Sequence, residues 1–318
     1  MPVFNDTASD RPTFSFIRIP GLETAYIWIS IPFCLMYLVA LAGNSLLIIL
    51  VRAEQTLHEP QFYFLAMLAL TDLGLSLTTM PSVMAIFWFD IRHIGLDACL
   101  TQMFFIHTLS SVESGVLVAM AFDRLIAICA PLNYMRILTH YTVACLSGAA
   151  LLRGATLLAP LPFFLRTFPF CGANILSHYY CYYPDMLNLA CGDVTFSSIY
   201  GLVCVLCTFA VDAVFILASY MKILGTIMKL GTQERNWRSL QTCACHLCTV
   251  FVFYLPLISL AVLHRYSQGT SPILYTTMSN TYLLMTPLLN PLVYSLKSRQ
   301  IKAALRKRFW VQRVIAGE

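Results

Sequence analysis

Seven apolar stretches, separated by short polar segments, organise the chain: residues 25–51, 61–89, 98–122, 141–165, 194–221, 239–263 and 271–296. Each reaches the length of about 20 residues that a helix needs to cross a hydrocarbon core. Helices are the natural reading, because a helix satisfies its own backbone hydrogen bonds where no water is present. No stretch shows the strict alternation of a lipid-facing barrel strand. There is no internal repeat and no Gly/Ser linker, so the pattern predicts one domain. It is an all-α membrane protein, a seven-transmembrane helix bundle over 25–296. An outer N-terminus of 1–24 precedes it, and a tail of 297–318 carries a short amphipathic C-terminal helix.

Composition supports this reading. Charged residues make up 11% of the 318 and hydrophobic ones 58%, whereas soluble domains carry about 25% charged residues. So few charges cannot cover a water-facing surface. Of the 20 Lys and Arg, an outside N-terminus puts 14 on the inner side, from Arg52 and Arg124 to the tail. Five lie outside (Arg11, Arg18, Arg92, Arg166 and Arg265), and Arg153 lies within the fourth span. This asymmetry obeys the positive-inside rule. The net charge of +5 therefore matches anionic lipid at the inner leaflet, not nucleic acid.

Residues 1–24 lack the basic-then-apolar pattern of a signal peptide, so the first span is expected to act as an uncleaved signal-anchor in the plasma membrane. Asn5-Asp6-Thr7 is a glycosylation sequon on the outer side. Of the twelve cysteines, Cys99, Cys171, Cys181 and Cys191 fall outside, where disulfides form. Four cysteines allow three connectivities.

Ionisable residues inside a span are costly and mark function by default. Asp72 in the second span and Glu113 in the third could share a cation, with Ser110 or Ser76 adding oxygen ligands suited to a hard ion. Without an ion, the same pair would hold helices together as a hydrogen-bonded or protonated couple. Arg153 and Asp212 read as structural, each bonding a carbonyl or a facing hydroxyl. Cys243, Cys245, His246 and Cys248 do not have zinc-ligand spacing. Adjacent residues point about 100° apart on a helix, which leaves these four as helix-contact residues.

The outer half of the bundle is the candidate pocket. Met103, Ile106, His107, Ser110 and Ser111 recur at helical spacing on the third span, and Leu257, Ile258, Ala261 and Arg265 on the sixth. His107 lies two turns inside Cys99, about 12 Å along the axis. Apolar walls with a few polar groups suit a small molecule, and the planar fork of Arg265 matches a carboxylate. Each has a plainer alternative: an Arg at a helix end snorkels to headgroups, and a lone His is often only hydrogen-bonded.

Short motifs stand at the ends of the spans. The first carries Gly43-Asn44, and the second opens with L-H-E-P-Q-F-Y-F-L. M-A-F-D-R-L-I-A-I-C runs from Met120 to Cys129, T-C-A-C-H and F-Y-L-P lie in the sixth span, and T-P-L-L-N-P-L-V-Y-S ends the seventh with Asn290, Pro291 and Tyr294. Together they resemble the rhodopsin-like G-protein-coupled receptors, and within them the odorant receptors. I-P-G-L-E before the first span and F-C…L-S-H-Y-Y-C…L-A-C in the long loop resemble the class I branch and its family 51 group. Phe122 and Leu125 stand where most odorant receptors have Tyr, and Cys245 where they have Ser.

The resemblance implies disulfides Cys99–Cys181 and Cys171–Cys191, and a sodium-type cavity lined by Asp72 and Glu113. It implies that Asp123-Arg124 and Asn290-Pro291-Tyr294 serve coupling. It further implies a small-molecule odorant, carboxylic acids among the candidates, a stimulatory olfactory-type G protein, a rise in cAMP and no enzymatic cofactor. A non-olfactory receptor for a small metabolite acid is the alternative. Ile106 occupies the position where amine receptors carry Asp, and the first lysine of the seventh-span region is Lys297, past Tyr294, which argues against an opsin. A transporter would show repeats or broken polar helices, and no nucleophile–base pair suggests an enzyme.

Overall fold

The computed structural model describes residues 12–17, 26–171, 174–230, 233–266 and 272–316. Side chains at 26, 29, 230, 233–242, 245, 261–266, 272–281, 296–297 and 309–316 lie outside that description. Asn5 lies outside the described residues, and so do the side chains of Ala261, Arg265, Arg235 and Arg238.

The helices in chain order are α1 (Tyr26–Ala53), α2 (Pro60–Phe89), α3 (Leu96–Cys129), the one-turn helix α4 (Tyr134–Ile137), α5 (His140–Leu158), α6 (Pro160–Thr167) and α7 (Tyr183–Leu189). They continue with α8 (Thr195–Val205), α9 (Val211–Leu230), α10 (Gln233–Tyr266), α11 (Pro272–Lys297) and the tail helix α12 (Arg299–Ala316). Seven spans result, with α5 and α6 sharing the fourth and α8 and α9 the fifth.

Both divided spans have local causes. Pro160 has no N–H to donate and stands at the start of α6, so the fourth span breaks after Leu158. In the fifth, a π turn at Leu206–Ala210 separates α8 from α9, and Thr208 Oγ1 donates to the Cys204 carbonyl across it. Such turns insert one residue and rotate the rest of the helix about its axis; here Asp212 lies just beyond the turn and is buried. The third span runs to Cys129, seven residues past its expected end. Its 34 residues measure about 51 Å, more than a core of about 30 Å. The surplus lets Asp123-Arg124 sit at the inner edge.

Burial is inverted relative to a soluble protein. Leu35, Phe163, Val214, Leu217 and Phe251 are exposed on the outside of the bundle. Asn44, Asp72, Ser76, Glu113, Asp212 and Asn290 are buried within it. Close approach of α1 to α11 requires Gly43, because a Cβ there would stand 3.0 Å from Pro291. Asn44 Nδ2 ties the same contact by donating to the Pro287 carbonyl at 2.9 Å.

The outer face departs from the all-α expectation. Strand β1 (Thr13–Phe16) pairs antiparallel with β2 (His93–Gly95) and parallel with β3 (Ile175–Leu176). Residues 13–16 are therefore a built part of the cap. Phe14 is fully buried and meets Phe170 edge-on at 4.9 Å. Arg92 donates to the Ile17 carbonyl at 3.1 Å and pairs with Asp90 at 2.5 Å. The sequence hid this strand because it is only four residues long, with apolar side chains at Phe14 and Phe16 alone. Both disulfides form as the resemblance implies, Cys99–Cys181 and Cys171–Cys191.

Phe14→Ala should destabilise the folded receptor by about 3–5 kcal/mol, as large-to-small core changes do. Thermal unfolding of the detergent-purified protein reads this loss, and Ser15→Ala, at a half-buried strand position, should leave the midpoint nearly unchanged.

Candidate ligand-binding and coupling sites

Four layers of polar contacts run through the bundle from the outer to the inner side. The outermost is the pocket. Disulfide Cys99–Cys181 and a hydrogen bond from Cys181 N–H to Gln102 Oε1 (2.9 Å) pin the long loop onto the top of α3. This carries Tyr180 and Tyr182 down to the third helix. There Tyr180, Ile106, Leu75, Leu260, Tyr282 and Leu283 form one apolar cluster, edged by Leu109, Tyr182 and Leu257. His107 keeps accessible surface deep in the bundle. Its Nε2 accepts from Tyr183 N–H at 3.4 Å, and its ring lies 5.6 Å from that of Tyr182. With Nε2 accepting, Nδ1 carries the proton of the neutral ring and is the donor.

The sequence-picked pocket residues divide. Ile106, His107, Ser110 and Leu257 meet around this cluster, Ser110 accepting from Tyr282 OH at 3.3 Å. Met103 is fully buried in the neighbouring outer core, against the group that includes Cys99, Cys181 and Met186. Ser111 faces the fourth span, where a Cβ on Gly154 would lie 3.2 Å from its Oγ. Ile258 is 56% exposed on the outside of α10. The 100° step between neighbours turns it away from the face of Leu257, and Leu260 takes the interior place instead.

Below the pocket, Asn290 Nδ2 donates to Asp72 Oδ2 at 3.0 Å, and Glu113 lies within electrostatic reach of Asp72 and beside Asn290. Asp72 Oδ1, Ser76 Oγ, Glu113 Oε1 and Asn290 Oδ1 are buried without a hydrogen-bond partner. Four orphaned oxygens on three helices fit the donor set of a small hard cation. Ser110, the other ligand weighed from sequence, is instead engaged by Tyr282.

Beside this lies a network that sequence patterns alone did not assemble. Arg153 grips Asp212 with both terminal nitrogens, at 2.7 and 2.6 Å. Asp212 Oδ2 accepts from Ser114 Oγ at 2.7 Å, and Ser114 Oγ lies 2.8 Å from Tyr254 OH. One chain thus joins the third, fourth, fifth and sixth spans. Arg153 and Asp212 pair with each other, and each also makes a bond of the expected kind, Arg153 Nη2 to the Ser111 carbonyl at 3.4 Å and Asp212 to the Ser114 hydroxyl. The available signal was their opposite charge at comparable depth, since each alone would be costly in lipid.

At the inner edge, Arg124 Nε donates to Asp123 Oδ2 at 2.9 Å, with a second, shorter contact from Nη2. Arg124 Nη2 also donates to Gln61 Oε1 at 2.8 Å, and Tyr134 OH donates to Asp123 Oδ1 at 2.7 Å. Burial and the adjacent carboxylate hold the Tyr134 phenol above its ordinary range, so it remains a donor at physiological pH. Tyr220 OH meets His246 Nδ1 at 2.6 Å, and Thr249 Oγ1 donates to Tyr294 OH at 3.2 Å. These tie α10 to α9 and α11. Asn290 and Tyr294 of the seventh-span motif are therefore bonded partners in two of these layers, and Pro291 packs on Gly43.

The family model for olfactory receptors matches residues 33–312. The chain belongs to the olfactory receptor family. Human olfactory receptor 51G2 is 45% identical over 305 residues, covering 96% of this chain and 97% of that one. Human olfactory receptors 51I1 and 51G1 are 42% and 43% identical over similar spans. Squid rhodopsin superposes with a TM-score of 0.72 at 16% identity, covering 93% of this chain and 91% of that one. That likeness establishes the seven-helix fold. This olfactory receptor is a multi-pass membrane protein of the G-protein-coupled class, and not an enzyme.

Removing one partner of the Arg153–Asp212 pair leaves a buried charge unmatched. Arg153→Met or Asp212→Asn should each cost about 3–5 kcal/mol and sharply reduce surface expression. The double variant Arg153→Met/Asp212→Leu should recover much of it, measured by cell-surface labelling and thermal unfolding.

Proposed function

We propose that this olfactory receptor, set in the plasma membrane with its N-terminus outside, recognises small polar odorants, carboxylic acids among them. It signals through a stimulatory olfactory-type G protein to raise cAMP. The observation that carries the ligand reading is His107: a half-buried imidazole inside an aromatic, apolar cluster, its Nε2 occupied by Tyr183 N–H. Its Nδ1–H would meet an oxygen of the odorant, and Arg265, on the outer part of α10, would supply a fixed charge for a carboxylate.

Partner docking is supported at the opposite end. Leu132 is 99% exposed and Met135 67% in the loop next to Tyr134, and exposed apolar groups facing water mark a protein contact. Ligand acts by favouring the state in which the sixth helix swings outward and opens a cleft near Arg124, Arg235 and Arg238, and only differential affinity for that state can shift it. The basic face of α12, with Lys302, Arg306 and Lys307 exposed, suits anionic inner-leaflet lipid.

The second layer would hold Na+ between Asp72 and Glu113, because four buried oxygens there lack partners. The ion would stabilise the uncoupled state by neutralising one of two facing carboxylates.

A cAMP assay across short and medium acids, alcohols and aldehydes tests the ligand class. Arg265→Ala should raise the half-maximal acid concentration about 10- to 100-fold, the worth of a hydrogen bond to a charged group, and leave alcohols unaffected. Equal acid potency in that variant would exclude the charge pairing. Replacing external and internal Na+ by choline should raise basal signalling in the wild type, and Asp72→Asn should erase that difference; identical sodium sensitivity in both would remove the ion site.

A further inference from the structure

We infer that Gln61 is a positioning residue for coupling: it holds Arg124 in the uncoupled geometry and so sets the basal activity of the receptor. This rests on the reading that the inner face couples to a G protein.

Gln61 is the second residue of α2, directly after Pro60. Glu59, at the N-cap, makes no side-chain capping bond. Its carboxylate is turned instead to Gln61, whose Nε2 donates to Glu59 Oε2 at 2.6 Å. The other end of the same amide, Oε1, accepts from Arg124 Nη2 at 2.8 Å. A primary amide is the group that can do both at once. The anion on its donor side polarises it and strengthens its acceptor side.

The result is one chain of charge-assisted bonds, Glu59–Gln61–Arg124–Asp123–Tyr134, that runs from α2 through α3 to α4. Only 14% of the Arg124 side chain and 1% of that of Asp123 are exposed, so these bonds act with little screening by water.

The two contacts of Arg124 differ in what they constrain. Asp123 is its neighbour in sequence and moves with it, so that pair says nothing about the arrangement of helices. Gln61 is on another helix. A guanidinium that turns to a partner, or an α3 that shifts against α2, must break the Gln61 bond, and no adjacent residue of α3 replaces it. Gln61 therefore adds a stabilising interaction present only while Arg124 is parked.

Gln61→Met keeps a long, unbranched helix-forming side chain but neither donates nor accepts as the amide does. It should raise ligand-independent cAMP per surface receptor on the order of tenfold, the loss of one hydrogen bond to a charged group. Glu59→Gln should move it in the same direction by less. The pair Glu59→Gln/Gln61→Glu adds a carboxylate against Arg124 opposite that of Asp123 and neutralises the one at 59, so basal signal should fall below wild type.

Hydrogen exchange of purified receptor over 131–138, without any G protein, gives an independent readout: Gln61→Met should exchange faster as the chain to Tyr134 loosens. Wild-type basal signal and exchange in a well-expressed Gln61→Met overturn the proposal. Parallel loss of expression and signal in both Gln61→Met and the swapped pair would assign Gln61 to folding alone and overturn it too. Faster exchange with no cAMP signal from any form, wild type included, would instead refute the coupling reading and leave the lock standing.

Discussion

Hydrocarbon offers no partner to a polar group, and that constraint shapes every level of this receptor. Backbone amides are satisfied within helices, and where a helix is interrupted, at Pro160 and at the π turn, local carbonyls are taken up within a turn. Charged side chains obey the same rule through tertiary contacts. Arg153 finds Asp212, Asp72 finds Asn290, and Arg124 finds Asp123 and Gln61. The polar groups are thereby the cross-links of the bundle, since apolar surfaces gain little by leaving lipid for each other.

The third helix collects most of these links. Ile106 and His107 meet the pocket, Ser110 meets Tyr282, Glu113 faces the candidate ion site, Ser114 joins the Arg153–Asp212–Tyr254 chain, and Asp123-Arg124 stand at the inner edge. From His107 to Arg124 is 17 residues, about 26 Å along the axis. A rod of that length touches every layer, while the hydrogen bonds of Tyr254, His246 and Thr249 tie the sixth span into two of them. Relative movement of these two spans must exchange discrete bonds, which is the kind of two-arrangement element that coupling between distant sites requires.

The sequence was informative where physics acts locally. Apolar length and the cost of a charge in lipid located the spans and the residues Asp72, Glu113, Arg153 and Asp212. End-of-span motifs carried the resemblance that matched both disulfides and the family. Helical spacing did less well for the pocket. Met103, Ser111 and Ile258 share its period but not its direction, because periodicity gives a stripe and its width does not say which neighbour each edge will meet.

What the chain by itself determined is a set of seven apolar helices, each able to form alone in a bilayer, with the polar residues it must hide. Only the tertiary structure decided who hides whom. Arg153 does bond a carbonyl, that of Ser111, but its pairing with Asp212 depends on the π turn that aims the fifth span. Gln61 looked like an ordinary helix start until α3 brought Arg124 within 2.8 Å. The arm at 13–16 became a strand only because His93 to Gly95 and Ile175–Leu176 offered it edges. Such partners lie far apart along the chain, and their meeting is fixed by the rotation of whole helices, a quantity that no local pattern contains.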